Sequence, residues 1–180
     1  MKNNCLICGE ELVYTQDSNK HTCEYCNSEK PSNTVCKNGH FVCDDCHQSP
    51  AYKIIKELCV STKLKDPFEI AIMLMKLPQI KMHGPEHHFL VPAALIAAFA
   101  NNFPKKLNND EKSKLIDEAE KRAKNVLGGF CGFYGACGAG IGNGIFISLL
   151  QGATPLSENE WRQCNNITAN TLLTISEYGG

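Results

Sequence analysis

The chain of 180 residues is long enough for one or two domains, and its 43% hydrophobic content is enough for a packed core. Its formal net charge of −1 and pI of about 6.6 give no global basic field, which argues against nucleic acid and anionic membrane surfaces as partners. The longest apolar run, residues 89–100, is too short to cross a bilayer and contains Pro92.

The first 46 residues contain seven of the eleven cysteines. Because no secretory-type apolar segment accompanies them, we expect a cytoplasmic protein, in which clustered cysteines indicate metal binding before disulfides. The segment is also polar and poor in aliphatic residues, so it cannot fold by apolar burial alone. We therefore predict a metal-stabilised head over residues 1–50 and a second domain over residues 51–180.

Candidate metal ligands occur in this head as four closely spaced pairs: Cys5 and Cys8, Cys23 and Cys26, Cys36 and His40, Cys43 and Cys46. Two thiolates two residues apart form the tight turn that holds zinc, and eight ligands suffice for two tetrahedral sites. We predict two structural zinc ions. His47 is a spare imidazole, expected to face solvent beside these ligands.

Two pairings of the ligands are open. In a sequential zinc ribbon the first two pairs would share one ion, whereas in a cross-braced head the first pair would join the third and the second the fourth. The segment CKNGHFVCDDC resembles part of a RING finger, although no cysteine pair follows Cys46, so Cys5 and Cys8 would take that place. The short spacing from His40 to Cys43 favours cross-bracing. The expected fold is a small zinc-ribbon or RING-like treble-clef head followed by an all-α helical domain.

The charge of the head bears on its partners. Residues 1–50 contain seven acidic residues against four lysines, and zinc-bound thiolates add negative charge. Nucleic acid is therefore excluded as the expected partner, and a protein partner is favoured.

The second domain has helical periodicity throughout. The first predicted helix covers Ala51–Lys63, and the second has Asp66 as its N-cap and Pro67 as its first residue and ends near Leu77. Three more are predicted: one from Pro85 as the first helical residue to Asn102, one over Asp110–Leu127, and one opened by a Ser157–Glu160 capping box that reaches Tyr178. Cys59 and Cys164 lie on apolar helix faces and are assigned to the core.

The stretch KMHGPEHHFL places three histidines and Glu86 just before an apolar run. Its H-x-x-E-H string is that of one class of zinc peptidases, but Gly84 and Pro85 interrupt the helix that such a site needs. A capping or packing role for these histidines is the alternative to a functional one.

A second unusual segment, GGFCGFYGACGAGIGNG, has eight glycines in residues 128–144. Glycine costs about 1 kcal/mol in a helix relative to alanine, so these residues must allow close approach or ligand contact. The segment lacks the G-x-G-x-x-G fingerprint of dinucleotide sites. Either it is a buried helix against which neighbours pack closely, or it presents thiols in a glycine-lined pocket.

The functional hypothesis joins the two segments across one pocket. His83 and His87 would be metal ligands or acid–base groups, Glu86 would orient them, and Cys131 and Cys137 would be thiol ligands or a redox pair. In the same hypothesis, His88, Gly135 and Gly138 would contact a cofactor, a small ligand or a third metal.

The combination of CKNGHFVCDDCH, KMHGPEHHFLVPAALIAAF and GGFCGFYGACGAGIGNGIFISLLQGATPL resembles a family of uncharacterised bacterial and archaeal proteins. The resemblance implies a cysteine-rich head before a helical domain, in proteins joined to or beside radical-SAM proteins and methyltransferases. The expected function is a metal- or thiol-dependent accessory protein of such a system, with a ligand or metal pocket in the helical domain. The alternative is a non-catalytic zinc-finger adaptor that docks a partner protein, and the sequence leaves enzymatic activity open.

Overall fold

The computed structural model describes residue 5, residues 7–24 and residues 27–179, with the backbone alone for residues 47–49. It divides into two compact units, Met1–Ser49 and Pro50–Gly180. The first unit carries the cysteine pairs, and the second is mostly helical.

The head is built on one antiparallel hairpin. Strand β1 (Leu12–Thr22) pairs with strand β2 (Glu29–Cys36), and the register shifts between Tyr14 and Asn19. Its small apolar cluster consists of Cys23, Phe41 and Cys43, with Val35, Val42 and Cys46 packed against them. Since half of this cluster is cysteine, apolar burial contributes little to folding here.

Seven helices follow within the described residues: α1 (Asp44–Ser61), α2 (Pro67–Met75), α3 (His87–Asn102), α4 (Asn109–Lys124), α5 (Phe130–Tyr134), α6 (Gly138–Gln151) and α7 (Asn159–Tyr178). Helix α3 lies at the centre of the second unit, where it packs against α2, α4 and α6. Nine of its sixteen residues are buried, which its continuous apolar sequence predicts. Within the described part of the chain, no helix combines the length and the apolar character needed to cross a membrane.

The predicted start of α2 is confirmed, because the Asp66 side chain accepts the Phe68 N–H and Pro67 is the first helical residue. Helix α4 runs over nearly the predicted range. It begins with a capping box in which Asn108 and Glu111 accept each other's backbone N–H.

Three predicted helix starts were wrong. Helix α1 begins at Asp44, not Ala51, because two aspartates in its first turn interact favourably with the positive end of the helix dipole. Helix α3 begins at His87, since Pro85 lies in the preceding turn. Before α7, Ser157 accepts the Thr154 N–H in a turn instead of capping the helix.

Candidate metal centre and helical-body motifs

The hairpin brings the first and third ligand pairs together. Leu12 pairs with Cys36, and the Lys37 N–H donates to the Glu11 carbonyl, so the residues before β1 lie beside the end of β2. Cys5, Cys8, Cys36 and His40 consequently form one group whose ligand atoms all lie within 4.8 Å of one another.

The distances in this first group fit a tetrahedral ion. The Sγ atoms of Cys8 and Cys36 are 3.5 Å apart, and His40 Nδ1 lies 3.3 Å from Cys8 Sγ and 3.9 Å from Cys5 Sγ. With Zn–S bonds of about 2.3 Å and Zn–N bonds of about 2.0 Å, tetrahedral ligands lie roughly 3.5–3.8 Å apart. Four ligands at such spacing define a closed site.

Hydrogen bonds favour the charged forms of three of these four ligands. Burial raises the pKa of Cys5, but backbone N–H groups of Cys8 and Ile7 outweigh it and, with the neighbouring thiols, lower the pKa to about 6. The backbone N–H of Glu10 is the main cause that lowers the pKa of Cys8, and the Cys8 thiolate raises the pKa of His40. Burial raises the pKa of Cys36. With a pKa of about 6, Cys5 therefore offers a thiolate ligand at neutral pH, whereas His40 would release its favoured proton on binding a metal.

A second group joins Cys23, Cys43 and Cys46, again with ligand atoms within 4.8 Å. The loop after β1 positions Cys23, because the Cys43 N–H donates to its Sγ at 3.3 Å and the Glu24 N–H donates to the Phe41 carbonyl. The predicted fourth ligand, Cys26, and the side chain of His47 lie outside the described residues.

The grouping is that of the cross-braced alternative, since the first ligand pair meets the third and the described member of the second meets the fourth. The antiparallel hairpin is the physical reason. It places the segment before β1 next to the residue that ends β2, and leaves Cys23 in the connecting loop.

In the second unit, the HGPEHH residues are tied to the backbone. The Glu86 carboxylate is buried, with 2% of its surface exposed, and accepts the Lys81 N–H at 2.8 Å. His87 Nε2 donates to the Lys81 carbonyl at 2.7 Å, and His88 Nδ1 donates to the Val126 carbonyl at 2.8 Å. His83 is exposed. These bonds fold the turn before α3.

The two sequence motifs meet at one contact. A Cβ atom at Gly138 would overlap the His88 ring, so this ring lies directly against the first residue of α6. Cys137 is half-buried at the N-cap of α6, Cys131 is exposed on α5, and Gly135 makes a left-handed turn with φ of 65°. In the described part of this unit there is no third group of three His, Cys, Asp or Glu ligands within 4.8 Å.

The remaining glycines of α6 face two different helices. Gly138 and Gly142 lie against His88, Val91 and Pro92 of α3, whereas Gly140 and Gly144 lie against Leu172 and Thr168 of α7. Two glycine stripes, each with a four-residue spacing, thus let α6 pack closely between α3 and α7. These contacts favour the interpretation of the glycine-rich segment as a helix against which neighbouring helices pack closely.

Sequence reasoning missed a groove between α4, α6 and α7. Cys164, assigned to the core, is half-buried and lines this groove together with Arg122 and Ser148. Cys59, in contrast, is fully buried as predicted. The signals that could have marked the groove are the single tryptophan, Trp161, and the rarity of arginine in a lysine-rich chain.

No curated protein and no solved structure matches the chain significantly. A family model described as "Family of unknown function (DUF5714)" matches residues 55–180, which is more than half of the chain and lies within the helical unit. The protein therefore belongs to the DUF5714 family.

Proposed function

We propose that the protein is a zinc-binding adaptor, in which two structural zinc ions hold the head in a form that docks a partner protein. The convergence of the ligand pairs into two compact groups carries this proposal. Zinc is the metal that best suits sets of thiolate and imidazole ligands in a tetrahedral arrangement.

The closed ligand set supports a structural role. Catalytic zinc ions usually have three protein ligands and one open position for water, whereas the first group supplies four protein ligands. For the second group we propose Cys26 as the fourth ligand, which would close that site as well. The interleaved order of the ligand pairs also supports a RING-like treble-clef fold for the head.

Exposed apolar side chains on the head support a protein partner. Tyr14 is 62% exposed, and Ile7 and Val13 are about 40% exposed in a unit that is otherwise polar. Aromatic and aliphatic residues in a polar surrounding are typical of protein interfaces. The accessory role beside radical-SAM or methyl-transfer proteins, and the chemistry assigned to His83, Glu86, His87, Cys131 and Cys137, stay predictions.

Zinc stoichiometry tests the metal sites. We expect two zinc ions per chain by native mass spectrometry of protein purified without oxidation. Cys8→Ser should lower the content to one ion through the first site, and Cys26→Ser or Cys46→Ser should do so through the second. Cys131→Ser is the matched control and should retain two ions. Fewer than two ions in the unmodified chain, or no effect of Cys26→Ser, would contradict the assignment.

Partner capture tests the adaptor role. Proteins that crosslink to the tagged full-length chain should be lost when Tyr14→Ala removes the exposed ring, and also when Cys8→Ser removes a zinc ligand. Tyr178→Ala is the control, because Tyr178 is 87% exposed on the helical unit. Equal capture by all three variants would reject docking through the head, while leaving the zinc assignment intact.

A further inference from the structure

The groove between α4, α6 and α7 has the dimensions of a small-molecule site. One cavity of about 390 Å³ is lined by Arg122, Ser148, Trp161 and Cys164, with part of the α6–α7 loop. A second cavity of about 230 Å³ shares Arg122, Ser148 and Cys164 and extends to Thr168. Known ligand sites have volumes of roughly 300–1,000 Å³, mostly apolar walls and a few polar groups.

Arg122 is held in place with part of its hydrogen-bonding capacity unused. Its Nη1 donates to Ser148 Oγ at 2.8 Å, and its Nε lies 3.3 Å from a carboxylate oxygen of Glu118. Among the described residues, its Nη2 has no hydrogen-bond or ion-pair partner. A guanidinium fixed by two bonds thus keeps donors for a further acceptor.

The charge of Arg122 is only partly compensated. Glu118, the one acidic partner of Arg122 among the described residues, also pairs with Lys121 at 3.5 Å. One carboxylate shared by two cations neutralises only one of these two positive charges. An anionic ligand would complete the balance.

Trp161 provides an apolar wall in the same cavity, although 52% of its surface is exposed. It is the only tryptophan of the chain, and Arg122 is one of only two arginines among 18 basic residues. Arginine binds carboxylates through two parallel hydrogen bonds, which lysine cannot do. The side chains that best suit an aromatic acid are therefore found together.

We propose that this groove binds a small carboxylate with an aromatic or apolar body, with the carboxylate on Arg122 and the body against Trp161. The site is lined by residues of the helical unit, none of which lies in the HGPEHH segment. It would give the helical unit a ligand-binding activity in addition to the docking proposed for the head.

Benzoate is a suitable probe, because the single indole N–H of Trp161 gives one NMR signal that reports directly on the groove. We expect a saturable shift of this signal with benzoate, and a shift at least tenfold weaker in apparent affinity with the neutral benzamide. Cyclohexanecarboxylate should bind as benzoate does if an apolar body is sufficient. No saturable shift with either carboxylate, or equal binding of benzoate and benzamide, would overturn the proposal.

Variants separate recognition by Arg122 from general binding to the surface. Arg122→Gln should weaken benzoate binding by about tenfold or more, since a hydrogen-bonded charge pair is lost. Arg122→Lys keeps the charge and should bind with intermediate affinity, which also covers the case that the glutamine variant folds poorly. The matched control is Arg162→Gln, which changes the second arginine of the chain and lies on α7. Unchanged affinity in both Arg122 variants would reject the site.

Discussion

At the scale of single residues, Cys59 and Lys112 are buried together in the helical unit and influence each other's charge. Burial raises the pKa of Cys59 from 9.0 to about 12, although the positive charge of Lys112 lowers it. Burial also lowers the pKa of Lys112, which lies within 3.5 Å of the Thr62 carbonyl and the Asn101 side chain. The thiol is therefore neutral when folded and ionises more readily when unfolded.

This difference predicts a loss of stability at alkaline pH. A thiol with a raised pKa contributes its full stability below pH 9 and loses it as the pH rises towards 12. At pH 10 we expect Cys59 to lower the free energy of unfolding by about 1–2 kcal/mol relative to pH 8. Cys59→Ala should remove this part of the decrease. Burial lowers the pKa of Lys112 in both proteins, and its effect on stability acts in the opposite direction.

Denaturant titrations followed by Trp161 fluorescence would measure both proteins at the two pH values. The alanine variant is expected to be less stable at pH 8, because it leaves a small cavity. Only the difference between the two pH values therefore counts. Parallel pH dependence in the two proteins would show that Cys59 does not ionise on unfolding.

Glu86 has a structural role that Ala substitution should expose. Removing the carboxylate takes away the acceptor of the partly buried Lys81 N–H, so Glu86→Ala should lower the free energy of unfolding by roughly 1–3 kcal/mol. His83 lies four positions before the start of α3 and is exposed, so His83→Ala should change the free energy of unfolding by less than about 0.5 kcal/mol. Equal effects of the two changes in the same unfolding assay would contradict this role.

The candidate metal ligands could be recognised in the sequence because the spacing of a metal-binding turn is local. The Glu86 contact could not, because it depends on a side chain folding back to a backbone N–H five residues earlier. The same applies to Arg122 and Ser148, which are 26 residues apart and meet only in the packed structure.

At the scale of elements, the alternating glycines of α6 determine how closely its neighbours can pack against it. Gly142 lies against the Pro92 ring and Val91, where a Cβ would come within 2.9 Å and 3.1 Å of side-chain atoms that cannot move away easily. At Gly138 the obstacle is the His88 ring, held by its bond to the Val126 carbonyl. At Gly140 it is the flexible end of Leu172.

Alanine substitutions should therefore have graded effects. We expect Gly138→Ala and Gly142→Ala to lower the melting temperature most, with a loss of about 1–3 kcal/mol from overpacking, and Gly140→Ala to lower it less. Gly132→Ala on α5 is the control, because nothing lies within 4 Å of its Cβ position. It should be neutral or slightly stabilising, since alanine favours a helix over glycine. Equal melting temperatures for all four variants would show that these contacts do not restrict α6.

Helix interiors could be predicted from periodicity, but their starts depended on which partner a capping side chain found. Asp66 bonds to the helix it precedes, as expected. Ser157 has the same capping ability, yet it accepts an N–H of the turn before α7. Competing local hydrogen bonds of similar strength decide such positions, and sequence alone does not rank them.

At the scale of the whole molecule, head and body are supported by different observations. The DUF5714 match begins at residue 55 and therefore covers most of the helical unit, while the two candidate metal-binding groups lie in the head. The sequence predicted eight ligands, of which the structure groups the seven described ones, and it left their pairing open. The hairpin register decides this pairing, and a register is a long-range property of two strands.

The cross-braced order should also affect how the head takes up the two ions proposed for it. His40 belongs to one group and Cys43 to the other, and only Phe41 and Val42 separate them. Filling either site closes a chain loop that the other site would otherwise have to close, so binding of the second ion removes less conformational entropy from the chain.

Uptake of the two ions should therefore be positively cooperative. During titration of the metal-free chain, native mass spectra should contain mainly zero-ion and two-ion species, whereas independent sites would make the one-ion species abundant at half saturation. Inserting three glycines between Phe41 and Val42 should weaken the coupling and allow the one-ion species to accumulate.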